Sequence, residues 1–146
     1  MTNIKGTYTI DAQPDKIWQT LKSFGNVEVY LPMMVKKTDL SGSGVGAVRT
    51  CTLIGPDGSI MPAKNVERLE YVNDSEKVMK FSFLEGPFPV SDCVVSVKVG
   101  SAENNQTRLD IESNLAPKGV SEKEITKMFF DVYGTISQGL EKLHKN

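Results

Sequence analysis

Polar and apolar positions alternate along most of this chain, and the alternation gives way twice to a spacing of three and four. Ile4, Gly6, Tyr8 and Ile10 alternate with Lys5, Thr7 and Thr9, the period of a half-buried strand over 4–10. Asp11-Ala12-Gln13-Pro14-Asp15 then opens a helix, because proline suits the first helical turn and an acidic residue suits the positive helix N-terminus. Ile17, Trp18 and Leu21 form its apolar face and Phe24-Gly25 ends it. A second short helix is expected over 26–31, stopping before Pro32.

Strands follow over 34–40, 46–54, 60–71, 77–84, 92–100 and 107–115. The turn signals between them are Ser41-Gly42-Ser43-Gly44, Gly55-Pro56-Asp57-Gly58, Asn73-Asp74-Ser75 and the polar run from Ser101 to Gln106. In 77–84, Met79, Phe81 and Phe83 alternate with Lys80 and Ser82. In 92–100, Cys93, Val95, Val97 and Val99 alternate with Val94, Ser96 and Lys98.

Ala116-Pro117-Lys118-Gly119 breaks the pattern, and Ser121-Glu122-Lys123-Glu124 reads as a capping box. A long helix is expected from there to about Lys145. Ile125, Met128, Phe129, Val132, Ile136, Leu140 and Leu143 form its broad apolar stripe. Gly134 and Gly139 interrupt it at about 1 kcal/mol each relative to alanine. Gly139 lies on the stripe, where close approach to the sheet compensates. The element order is β-α-α-β-β-β-β-β-β-α. The expected fold is α+β: a curved antiparallel sheet of six or seven strands wrapped around the C-terminal helix, with a pocket where helix and sheet do not touch.

Composition narrows the function. The 146 residues suffice for a single domain over 1–146, with 39% apolar and 24% charged residues. A net charge of −1 argues against nucleic acid and anionic membranes as partners. No run approaches the roughly 20 apolar residues of a membrane span. Met1-Thr2-Asn3-Ile4-Lys5 lacks the regions of a signal peptide, so a cytoplasmic location is expected and the sequon Asn105-Gln106-Thr107 is discounted. Cys51 and Cys93 have neither metal nor redox spacing and read as reduced core thiols. His144 is the only histidine and reads as favourable charge at a helix end. A Ser-His-Asp triad, a Cys-His pair and a zinc site are therefore not expected, nor any metal or cofactor.

The strand and two-helix opening, the segment Asp11-Ala12-Gln13-Pro14-Asp15-Lys16-Ile17-Trp18 and the closing helix resemble the helix-grip superfamily. That group includes START domains, the birch-pollen allergens, the plant abscisic-acid receptors and the polyketide cyclase/dehydrase-like proteins. Gly46 to Arg49, Glu67-Arg68-Leu69-Glu70 and Gly86-Pro87-Phe88-Pro89-Val90 are most similar to the last two. The resemblance implies that loop 54–63 is a gate, with Met61-Pro62-Ala63 at its end, and that loop 85–91 is a latch. The receptor pattern is also broken. Leu31 stands where a receptor lysine meets the hormone carboxylate, Ile136 for an asparagine, Cys93 for a tyrosine, and Phe88-Pro89 for a His-Arg pair. Abscisic acid is not the expected ligand, and the pocket should be more apolar.

Alternation places Arg49, Cys51 and Leu53 on one face of their strand and Met61, Ala63, Asn65, Glu67 and Leu69 on one face of the next. If these faces point inward, Arg49 and Glu67 are buried charges on neighbouring strands and must pair. They then act either as a structural pair or by orienting a polar ligand group. For Asp110 and Glu112 the two lines conflict: alternation with Leu109 and Ile111 places them in solvent, whereas the resemblance places Glu112 on the pocket side. Tyr30, Phe81, Phe88, Val95, Met128, Phe129, Val132, Tyr133 and Ile136 complete the candidate lining.

Three functions fit this reading. The first is binding or carrying a small hydrophobic molecule, a lipid, isoprenoid or polyketide-like compound. The second is cofactor-free cyclisation or dehydration of a polyketide, with Glu67, Arg49 or Tyr133 moving protons and stabilising an enolate. The third is a ligand-gated signalling or interaction module using the two loops. Homodimerisation through loops 54–63 and 85–91 is left open.

Overall fold

The computed structural model describes residues 1–146. Its strands are β1 (Thr2–Ile10), β2 (Val35–Ser41), β3 (Val48–Leu53), β4 (Asn65–Asn73), β5 (Val78–Glu85), β6 (Val90–Ser101) and β7 (Thr107–Pro117). They form a seven-stranded antiparallel sheet in the order β1-β7-β6-β5-β4-β3-β2. Helix α1 (Pro14–Lys22) follows β1, and helix α2 (Glu122–His144) closes the chain. The fold is the curved-sheet, long-helix α+β architecture that the alternation predicts.

Register irregularities at Val35/Lys37, Val66/Glu67, Leu69/Tyr71 and Ser91/Val94 bend the sheet. The face toward α2 carries Ile4 and Ile10 of β1, Leu69 of β4, Met79 of β5, Val99 of β6 and Leu109 and Leu115 of β7, all buried. Against it α2 buries Ile125, Phe129, Tyr133, Ser137 and Leu140. Each fully buried large apolar side chain in this layer contributes about 1.5–3 kcal/mol.

The capping box forms as read. Ser121 Oγ accepts from the Glu124 backbone N–H at 3.0 Å, and the Ser121 N–H donates to Glu124 Oε1 at 3.4 Å. Pro14 begins α1, and Trp18 Nε1 donates to Asp74 Oδ1 at 2.9 Å, which ties α1 to the β4–β5 turn.

Three expectations change. The helix expected over 26–31 is a 3-10 turn at Val27–Val29, because Asn26 has left-handed φ (51°) and Pro32 follows closely. The strand expected from residue 60 starts at Asn65. Pro62 has no N–H for the ladder, and the chain loops out instead, held by Met61 N–H to Leu53 O at 2.9 Å and Gly55 N–H to Ser59 O at 2.8 Å. His144 lies in the last turn of α2 as expected, but its surroundings disfavour the charged form. Its Nε2 pairs with Thr20 Oγ1 at 2.6 Å, and burial with the nearby Lys16 charge lowers its pKa.

Gly139 does permit a close approach, but to the segment before Pro32 rather than to the sheet. A β-carbon there would lie 1.7 Å from the Tyr30 carbonyl oxygen. Nothing in the structure explains Gly134.

Candidate functional site

A cavity of about 110 Å³ lies between the sheet and α2. Strand parity builds one wall: Arg49, Cys51 and Leu53 of β3, Asn65 and Glu67 of β4, and Met79, Phe81 and Phe83 of β5 all project the same way. Val95 and Val97 of β6 and Ile111 and Ser113 of β7 continue it. Helix α2 adds Phe129, Val132, Tyr133 and Ile136. The segment between α1 and β2 adds Val27, Tyr30, Leu31 and Met34, with Leu21 and Val35 at its ends.

One end of this apolar space is polar. Arg49 and Glu67 are direct cross-strand partners, and Arg49 Nε donates to Glu67 Oε1 at 2.6 Å with both side chains 7% exposed. Arg49 Nη1 reaches the Phe24 carbonyl at 3.4 Å, and its guanidinium carbon lies 4.0 Å from the Phe24 ring centroid and 4.7 Å from that of Phe81. Aromatic faces and a carboxylate thus replace the water that the cation loses. Burial disfavours the charged guanidinium, but the Glu67 carboxylate, together with Tyr30 and Cys51, holds its pKa above the ordinary arginine value. Burial also raises the Tyr30 hydroxyl, partly countered by Arg49. Glu67 accepts Arg49 on one oxygen, and its Oε2 receives no protein hydrogen bond. The buried Asn65 Oδ1 has no partner either.

A second polar pair sits on the β7–α2 side, where Ser113 Oγ meets the Tyr133 hydroxyl, which also donates to Ile4 O at 3.3 Å. Burial pushes Tyr133 up to about 12, Cys51 up to about 11 and Cys93 up to about 12. These groups are neutral at neutral pH and are poor bases and nucleophiles there.

Aromatic rings cover one side. Phe88, in the loop between β5 and β6, lies 5.7 Å from Phe83 and 6.1 Å from Phe129 between ring centroids. Phe83 and Phe129 are themselves 6.3 Å apart.

Of the residues proposed from sequence, Tyr30, Arg49, Cys51, Leu53, Asn65, Glu67, Phe81, Phe88, Val95, Phe129, Val132, Tyr133 and Ile136 lie on this wall. Met61, Ala63, Cys93, Glu112 and Met128 do not. Ala63 is exposed and Met61 half-buried in the loop that Pro62 creates. Cys93 is buried, but the wall on β6 begins two residues later, at Val95. Met128 lies on the rim of the α2 stripe and is exposed. Glu112 lies between the inward Ile111 and Ser113, so parity turns it outward, where Asn3 Nδ2 donates to its Oε2 at 2.7 Å. Asp110 faces the same way and accepts from Thr7 Oγ1 at 2.6 Å. Parity gives the correct side for both, and for Glu112 it does so against the resemblance.

Met79, Phe83, Val97, Ile111 and Ser113 are wall residues that were not proposed, although the same alternation marks them. Leu21, Val27, Leu31, Met34 and Val35 carried no comparable signal, because four of them lie in or beside an irregular segment and Leu21 reads only as helix core.

This architecture agrees with the comparisons. The family described as polyketide cyclase / dehydrase and lipid transport matches residues 1–146. The chain belongs to that family. It is 30% identical over 145 residues to the abscisic acid receptor PYL2 of Arabidopsis thaliana, covering 94% of this chain and 73% of the relative. Among solved structures it is similar to the protein XoxI of Bacillus cereus, with TM-score 0.81, 26% identity and coverage of 99% and 96% of the two chains. A protein of Bacillus thuringiensis gives TM-score 0.75, 27% identity and coverage of 97% and 96%. No helix is long and apolar enough to cross a membrane.

Proposed function

We propose that this protein binds or carries a small hydrophobic molecule between the sheet and α2, the ligand being a lipid, an isoprenoid or a polyketide-like compound. The observation that carries the reading is the cavity itself. Of its 23 lining residues 19 are hydrophobic, which suits a mostly apolar ligand fixed by a few polar contacts. A volume of about 110 Å³ is below the roughly 300 Å³ of typical ligand pockets, so a ligand of ordinary size must displace part of the wall. Phe88 is the side chain placed to move, because it stands on a loop and is only half-buried.

The test is native mass spectrometry of the purified protein, then denaturation and extraction of whatever co-purifies. A retained apolar molecule supports the reading and gives its class. With nothing retained, and no thermal shift from any apolar compound added, the reading fails.

One observation favours a second reading, cofactor-free cyclisation or dehydration of a polyketide. Glu67 offers a carboxylate oxygen without a protein donor inside an apolar cavity, the position a general base would need. Under that reading Glu67→Gln abolishes turnover while binding survives.

A further inference from the structure

The polar end of the cavity has a charge balance and a hydrogen-bond balance that together restrict the ligand. Arg49 and Glu67 are the only charged residues among the 23 that line it, and they neutralise each other at 2.6 Å. No lysine or histidine lines the wall to take up further negative charge. A ligand carboxylate there would add a net anion to an apolar enclosure, beside Glu67.

Two hydrogen-bond acceptors at this end are unmet. Asn65 Oδ1 is buried with no donor, and Glu67 Oε2 accepts no protein hydrogen bond. Both residues project from the same face of β4, two positions apart, onto the same cavity. A β-carbon at Gly86 would lie 2.4 Å from Asn65 Oδ1, so the oxygen rests against the backbone of the loop that bears Phe88. A buried acceptor without a donor costs about 1–3 kcal/mol, and a ligand that supplies the donor recovers it.

We propose that the pocket selects a neutral alcohol, an apolar skeleton with one hydroxyl donating to Asn65 or Glu67, over the corresponding carboxylic acid. The inference rests on the pocket-binding reading and names the ligand class for that site. A carboxylate accepts hydrogen bonds but donates none, so it brings charge and leaves both acceptors unmet. A hydroxyl supplies a donor without bringing charge.

The test is a matched pair, decan-1-ol and decanoic acid, titrated calorimetrically into the full-length protein at pH 7.5, where the acid is ionised. The alcohol is expected to bind at least tenfold more tightly, since a hydrogen bond to a charged group is worth about a factor of ten or more. Glu67→Gln leaves Arg49 as an uncompensated cation and is expected to remove the preference or invert it toward the acid. If Glu67→Gln does not fold, Asn65→Leu serves instead. It should weaken the alcohol about fivefold or more relative to wild type while leaving the acid unchanged.

Equal or tighter binding of decanoic acid by the wild type overturns the inference and leaves the pocket reading intact. If neither compound binds and nothing apolar co-purifies, both readings fall.

Discussion

The β-carbon that Gly139 lacks would stand 1.7 Å from the carbonyl oxygen of Tyr30. Helix α2 and the segment that supplies Tyr30 and Leu31 to the cavity wall are therefore in backbone-to-backbone contact. Gly139→Ala should destabilise the fold by about 3 kcal/mol, because overpacking against rigid backbone outweighs the gain of about 1 kcal/mol in helix propensity. Urea denaturation should show a lower midpoint at unchanged slope. A stability equal to wild type would show that the contact relaxes freely.

Removing one member of the buried Arg49–Glu67 pair should cost more than removing both. Arg49→Met strands a carboxylate in an apolar cavity and is expected to cost about 3–5 kcal/mol, whereas Arg49→Met combined with Glu67→Leu should recover much of that loss. A double-mutant cycle in urea measures it. Additive losses would mean that the two groups do not depend on each other.

Three buried acids should make the fold sensitive to alkali. Burial raises Cys51 from 9.0 to about 11, Cys93 from 9.0 to about 12 and Tyr133 from 10.0 to about 12. In each case the folded chain keeps a proton that the unfolded chain has already released. The stabilisation is therefore complete below about pH 9, the ordinary thiol value, and is lost as pH rises toward 11–12. Each fully effective group contributes about 1.4 kcal/mol per pH unit to the slope. Cys93→Ala should make the decline of stability above pH 9 shallower, and an unchanged slope would refute the assignment.

Phe88 should control access more than stability. It is half-buried and rests on Phe83 and Phe129, so Phe88→Ala is expected to cost only about 1–2 kcal/mol in thermal or urea unfolding. Release of a bound apolar probe should speed up about tenfold or more, as stopped-flow displacement would report. Unchanged release would place the route of entry elsewhere.

Period-two alternation was legible in the sequence because it is a local property of extended chain. It put Arg49 and Glu67 on the inward faces of neighbouring strands, turned Asp110 and Glu112 outward (for Glu112 against the family resemblance) and marked the inward faces of β3 to β7. The capping box at Ser121 and the α2 stripe were legible for the same reason, since each needs only neighbours three or four residues away. The position of the loop before β4 and the edges of the cavity were not. They depend on where Pro62 interrupts the ladder, on bulges that bend the sheet, and on contacts between residues far apart in sequence, such as Gly139 with Tyr30 and Phe88 with Phe129. The same holds for Asn65. Alternation turns it inward, but only the tertiary structure leaves its oxygen without a donor, because satisfaction of a buried polar atom depends on every element that surrounds it.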